Sequence, residues 1–201
     1  MVDTAQTSDQ RLIKGALARA SIARHAADVA SVEGLTGLSI GRLATDLGLS
    51  KSGVATLFGT KENLQVAAVQ SAREVFIEHV VRPSLKEPGG LPRLRALIDR
   101  WFDFVSAPVF PGGCFRVATV SEFDSRPGPV RDAIAADQRD LRELLTREIR
   151  RAKDQGAAEG RDAAALAFEI EALMSAVNTA LQMGESEAAP IARGIIDGLI
   201  A

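Results

Sequence analysis

Residues 40–57 read IGRLATDLGLSKSGVATL, and the spacing within this stretch decides how the chain is read. Ile40, Leu43, Ala44 and Leu47 recur at three- and four-residue steps, so they line one face of a short helix. Ala44 is small where a second helix must pass close over the first. Gly48 stands where the chain leaves that helix, and a left-handed backbone costs least without a Cβ. Leu49 is expected to cap the miniature core. Ser50 offers an N-cap hydroxyl to a second helix whose inward positions are Val54 and Leu57. Two short helices crossing at a tight turn outline a helix-turn-helix, the unit whose second helix enters the major groove of DNA.

The outward side of the second helix agrees. Lys51, Ser52, Gly53 and Thr56 point away from the Val54–Leu57 face, and none is acidic. Short donors and one cation suit base edges and phosphates. By itself the pattern also fits a solvated face on an ordinary helical hairpin. The flanks add context. A helical pattern runs from about Ser8 to Val32, with Ile13, Leu17, Ala20, Ala23, Ala27 and Ala30 on one stripe. Gly34, Thr36 and Gly37 punctuate it, and Ser39 can cap the next helix. After Phe58 come Gly59, Thr60 as a cap, and Lys61 and Glu62 in a first helical turn.

The run SKSGVATLFGTKENL, residues 50–64, resembles the end of the amino-terminal domain of TetR-family regulators, and the likeness extends over about residues 8–70. FGTKENL is its most specific part. The resemblance implies an all-α chain with a three-helix helix-turn-helix domain at residues 1–60. A larger helical domain for effector binding and dimerisation follows at 61–201, about nine helices in all. It also implies a dimer joined by a four-helix interface. Candidate DNA-facing residues are Ser39, Arg42, Ser50, Lys51, Ser52, Gly53, Thr56 and Lys61, helped by backbone amides at the helix starts. One departure stands out: three residues before the phenylalanine, where the family usually has tyrosine or another aromatic on the DNA backbone, this chain has Ala55. It contains no tyrosine.

Hydrophobic residues make up 46% of the chain and charged ones 25%, ordinary for a globular protein. The net charge of −2 looks wrong for a DNA binder until it is divided. Residues 1–61 carry +2 and the remainder −4; without the first ten residues the amino-terminal part carries +4. A lone cysteine argues against a disulfide scaffold, and no Cys or His spacing points to a metal. No cofactor, signal peptide or membrane span is expected, and the location expected is cytoplasmic.

The rest reads as helices separated by Pro and Gly. One from Lys61 should stop near Pro83, followed by helices at Leu91–Ser106, Cys114–Phe123, Val130–Lys153 and Asp162–Met183. Pro190 opens the last. The loops are LKEPGGLP, APVFPGG, SRPGP and QGAAEGR. Aromatic residues cluster in the middle, so the candidate effector pocket is Trp101, Phe104, Phe110, Cys114, Phe115, Phe123, Met174 and Asn178, with Asp103, Arg116 and Glu122 as further polar groups. Plain core packing is the competing reading of each aromatic. The last two helices are apolar around much of their circumference, so Leu166, Ile170, Leu173, Val177, Leu181, Ile191, Ile195 and Leu199 are assigned to a homodimer interface.

The function these readings converge on is a dimeric, ligand-responsive transcriptional regulator, a repressor. It binds a palindromic double-stranded DNA operator and is released by a small-molecule effector of unknown identity. The alternative is a helical ligand- or protein-binding scaffold of the same fold with weak or lost operator binding, which Ala55 favours. An enzyme using Cys114 is disfavoured, because only two histidines and no surrounding motif accompany it.

Overall fold

The computed structural model describes residues 4–106, 109–158 and 160–201. Ala107 and Pro108 of the APVFPGG loop, and Glu159 of QGAAEGR, fall outside them. The chain runs through α1 (Thr4–Glu33), a 3-10 turn (Leu35–Gly37), α2 (Ile40–Asp46), α3 (Lys51–Phe58) and α4 (Lys61–Phe76). A π-helical turn (Ile77–Val81) leads straight into α5 (Arg82–Ser84). Then come α6 (Leu91–Ser106), α7 (Phe115–Phe123), α8 (Pro129–Asp154), α9 (Ala163–Gln182) and α10 (Ala188–Ile200). Because α4, the π turn and α5 form one rod, the described residues make nine helical rods and no strand.

Local chemistry sets the helix starts. Ser39, Ser50 and Thr60 each accept the backbone N–H three residues on, at 3.1 Å, and Asp162 Oδ1 accepts those of Ala164 and Ala165 at 3.0 and 2.8 Å. Each such cap is worth about 1 kcal/mol. Gly48 adopts φ 64°, as the turn between α2 and α3 requires.

Packing then joins these helices into one core. Ile22, Ala23, Ala26, Ala27 and Ala30 bury the second half of α1 against α4, while Leu43, Ala44, Val54 and Phe58 fill the space beneath α2 and α3. The buried cluster continues without a break through α6, α8, α9 and α10. α4 packs on α1 at one end and on α8 along its length, so the helix-turn-helix is braced by the larger helical part.

Several expectations change. Ile13 and Leu17, placed on the inward stripe of α1, are 59% and 65% exposed, because the first half of α1 reaches past the helices that could cover it. Leu49 does not cap the small core; it lies on the surface just after the left-handed turn at Gly48. Leu57 is half-buried, and Phe58 takes the inward place one turn after Val54. The last helix begins two residues before Pro190, which the first helical turn tolerates since its N–H groups lack helical partners. α9 is long and apolar enough by composition to cross a membrane, contrary to the reading of the sequence, but Leu166, Ile170, Met174 and Val177 bury one of its faces in the core.

The loop before α6 is held by a buried carboxylate. Glu148 on α8 is sealed from solvent and accepts the Gly90 N–H at 3.0 Å and Arg151 Nη1 at 3.1 Å, with Arg93 Nη1 at 3.5 Å. Burial pushes its pKa up, but the Gly90 amide, Arg151 and Arg93 outweigh this and hold it below the usual glutamate range. A carboxyl depressed in the folded state stabilises the fold above its unfolded pKa of about 4.3, and that contribution fades as pH falls through the folded value. Glu148→Gln is therefore expected to lower stability at pH 7 by about 1–3 kcal/mol, or roughly 3–10 °C in Tm. The gap between variant and parent should close below about pH 4. Thermal unfolding followed by circular dichroism across pH 3–8 measures both effects.

Candidate nucleic-acid interface and an interior cavity

All eight candidate DNA-facing residues lie on the surface. The structure divides them by what their polar groups already do. Lys51, at the start of α3, forms no ion pair with any described residue, and its aliphatic stem lies near Gly41. Ser52 is exposed beside Ser50, and Thr56 donates its hydroxyl to the Ser52 carbonyl at 2.8 Å, leaving its oxygen lone pairs free to accept. Gly53 leaves the first turn of α3 bare.

Arg42 and Lys61 are committed elsewhere. Arg42 grips Glu33 through two bonds of 2.9 and 3.0 Å and reaches Asp46 at 3.1 Å. Glu33 and then Asp46 hold its guanidinium more firmly protonated than usual. Lys61 donates to the Thr36 carbonyl at 2.6 Å. Both keep their place on this exposed face, each with a partner 25 residues or fewer away along the chain. His25 likewise bonds Asp46 at 3.2 Å, which holds that carboxyl below the usual range.

The rear of α3 is fastened by Arg19 of α1. Its Nη1 donates to the Leu57 carbonyl at 2.6 Å, and its guanidinium lies 4.5 Å from the Phe58 ring centroid. A cation at a helix C-terminus satisfies carbonyls that have no helical partner.

Glu122 on α7 does not face the interior as expected of a pocket residue. Its carboxylate accepts Leu35 N–H at 2.9 Å, Thr36 N–H at 3.0 Å and the Thr36 hydroxyl at 2.8 Å. Gly34 makes room for it, since a Cβ there would fall 2.4 Å from Glu122 Oε1. The same turn gives its carbonyls to Gln65 Nε2 and Lys61 Nζ.

A cavity of about 190 Å³ opens between α6, α7, α8 and α9. Trp101, Val117, Leu141 and Met174 supply apolar wall, and Arg116, Gln138, Arg142 and Glu171 supply polar groups. Arg142 Nε donates to Glu171 at 2.5 Å; burial pushes the Glu171 carboxyl above its usual range despite Arg142. Arg116 grips Asp137 at 2.5 and 2.9 Å and stacks 3.8 Å from the Phe76 centroid, leaving its buried Nη1 without an acceptor.

Of the expected pocket residues, Trp101, Cys114 and Met174 line this cavity. Phe104, Phe110 and Phe115 instead pack with Phe76 around a void of about 10 Å³, and Phe123 is buried at the far end of α7 with Arg126 over its ring. Asn178 spends its Oδ1 on the Cys114 N–H at 2.6 Å, starting α7. Their aromatic character correctly marked an interior but not a space. Gln138, Arg142 and Glu171 were not foreseen, because on amphipathic helices their polar type reads as a solvated face.

The interface assignment also divides. Leu166, Ile170 and Val177 are at most 3% exposed within one subunit and serve its own core, with Val177 at the floor of a groove between α9 and α10. Leu173, Leu181 and Leu199 are half-buried, while Ile191 and Ile195 are exposed. Phe168 on α9, 61% exposed, lines the mouth of the α6–α9 cavity, and Met183 after α9 is 77% exposed.

The profile of the tetracyclin repressor-like carboxy-terminal domain matches residues 90–194. No curated protein sequence matches the chain. Among solved structures, a TetR-family transcriptional regulator from Agrobacterium tumefaciens aligns with a TM-score of 0.81 at 20% identity, covering 92% of this chain and 99% of its own. A TetR transcriptional regulator from Chloroflexus aurantiacus aligns at 0.80 and 24% identity, covering 93% and 98%. AibR in complex with isovaleryl coenzyme A and operator DNA aligns at 0.73 and 21% identity, covering 90% and 98%.

Arg19→Ala is expected to cost about 1–3 kcal/mol by removing a charged hydrogen bond and a ring contact. Hydrogen exchange should quicken in α3 and stay unchanged in α8. Equal acceleration in both helices would show that Arg19 does not act locally.

Proposed function

Since the chain belongs to the TetR family of transcriptional regulators, we propose that it is a homodimeric repressor which reads a palindromic operator with α3 and leaves it when a small molecule fills the α6–α9 cavity. The observation that carries the DNA half is the outward end of α3. Lys51, Ser52, Gly53 and Thr56 stand exposed together on a helix capped by Ser50 and braced from behind by Arg19. Lys51 is the cation free to meet phosphate, and Ser52 and Thr56 are placed to read base edges. Such a protein works in the cytoplasm, on the chromosome.

The ligand half rests on the cavity. Its walls are largely apolar, with convergent polar groups that still have hydrogen-bonding capacity, the composition expected of an effector site. AibR, of the same fold, has been solved with both isovaleryl coenzyme A and operator DNA, so one fold accommodates both kinds of partner there. The dimer half rests on α9 and α10. Leu173, Ala176, Ala180, Ile191 and Ile195 line an open groove. A second copy laid against these two helices buries that surface in a four-helix contact and sets two α3 helices in successive major grooves, about 34–36 Å apart.

A second reading is a scaffold that keeps the fold without operator binding. Ala55 in place of an aromatic, and the engagement of Arg42 and Lys61 inside the protein, favour it. Fluorescence anisotropy on genomic fragments selected by the protein, against a scrambled duplex, separates the two. The regulator binds the selected fragment specifically and loses roughly 10³-fold or more in affinity between 50 and 200 mM salt; the scaffold binds both duplexes equally weakly. Lys51→Ala is expected to weaken both duplexes and reduce the salt slope by about 1, whereas Lys61→Ala acts through the Leu35–Gly37 turn and not through the slope. Ile195→Glu is expected to yield monomers in sedimentation velocity and to abolish tight operator binding. A dimer that survives it would place the interface elsewhere.

A further inference from the structure

We propose that Glu122 is the positioning residue through which α7, one wall of the cavity, sets the orientation of the helix-turn-helix. The inference rests on the reading of the cavity as an effector site and adds the route by which that site reaches the DNA-reading unit.

α7 is a single stiff rod of nine residues with two distinct duties. Its first turn carries Arg116 and Val117 into the cavity wall, and Cys114 at its N-cap position lines the same space. Its last turn carries Glu122 on the other side of the rod, against the 3-10 turn that precedes α2. Helical periodicity places residues 117 and 122 on nearly opposite faces, so one side of α7 cannot move without carrying the other. A displacement that begins at Val117 is therefore delivered to Glu122.

What Glu122 holds there is the geometry of the chain at the entrance to the helix-turn-helix. Its two carboxylate oxygens receive three hydrogen bonds from Leu35 and Thr36, and Leu38 and then the N-cap Ser39 follow directly. Both backbone N–H groups of residues 35 and 36 depend on this one side chain, since neither lies in a helix long enough to satisfy it. Gly34, with φ 77°, admits the carboxylate where any Cβ would collide with it. The approach is reinforced upstream, where the Gly112 N–H donates to Ser31 Oγ at 3.0 Å and the bare Gly112 Cα faces the Ser31 carbonyl. The segment from Gly112 to Glu122 thus grips the end of α1 and the turn after it at two points, and it is the same segment that borders the cavity. A helix shift there is transmitted through a charged, directional contact set over packed, buried Leu35 and Leu38.

The test uses the full chain with Glu122→Ala and Glu122→Gln, each with and without Val117→Phe, which fills part of the cavity from α7 and stands in for a ligand. In Glu122→Ala, the Leu35 and Thr36 amides are expected to exchange at least about tenfold faster while α8 amides keep their protection. Affinity for the genomic fragment selected by the parent protein should fall roughly tenfold, with less than about twofold change on the scrambled duplex. Glu122→Gln, which keeps one acceptor oxygen, should be intermediate. Val117→Phe should weaken fragment binding roughly fivefold or more when Glu122 is present and by less than about twofold when it is alanine, so the double-mutant cycle is non-additive.

An additive cycle overturns the proposal, because the cavity signal would then travel by another route. Unchanged exchange at Leu35 and Thr36 overturns the contact itself. If the parent protein selects no fragment at all, the regulator reading fails and the positioning role falls with it. Exchange that still responds to Glu122→Ala in that case tells this failure apart from a mistaken contact.

Discussion

Every polar backbone group of Leu35 and Thr36 is answered by a different part of the chain, and the placement of the DNA-facing unit depends on that accounting. Their N–H groups go to Glu122 on α7, the Leu35 carbonyl receives Gln65 from α4, and the Thr36 carbonyl receives Lys61 from the start of α4. Leu35 is buried and Thr36 exposed, so a Leu35 group left open costs about as much as a lost hydrogen bond, while the Thr36 groups fix the direction of the turn. Two elements, α4 and α7, must therefore stay in register with this turn, and the turn in register with them. Leu35 and Leu38, both fully buried, anchor it from beneath. The helix-turn-helix is held to the larger domain by a polar lock over an apolar seat.

The interior has a comparable centre in Arg116. It is paired with Asp137, stacked on Phe76 and borders three spaces between the helices. An arginine in that position is expensive to bury unless it is paired, and Asp137 meets that need while Nη1 remains without an acceptor. The aromatic cluster expected to form a pocket is largely occupied in packing around this charge. Open volume lies instead toward α9, where Arg142 and Glu171 face one another.

Charge at the DNA-facing end is likewise shaped by the fold. Of the three cations assigned there, Lys51 keeps its ammonium free, whereas Arg42 and Lys61 stabilise the unit that presents it. The modest positive balance of residues 1–61 therefore includes cations that already have partners within the protein. Order in α3 comes from its ends, Ser50 at the start and Arg19 behind Leu57, more than from its own eight residues. A helix that short has little stability alone.

The sequence by itself determined the local elements: the α2–turn–α3 unit, its caps at Ser39, Ser50 and Thr60, the left-handed Gly48, and the rods that follow, to within a few residues. These depend on interactions reaching four residues or fewer, and such interactions are legible in spacing. Family likeness followed from the same short range, in FGTKENL. Only the tertiary structure decided which neighbour each face meets. Periodicity put Leu166, Ile170 and Val177 on an apolar face of α9 but could not tell core from partner, and it marked Arg142 and Gln138 as polar without showing the cavity they border. Glu122 bonds a turn more than eighty residues away, and nothing within one helical turn of it in the sequence announces that partner. Distance along the chain is what hid these contacts, since they exist only after α1, α4 and α7 have packed.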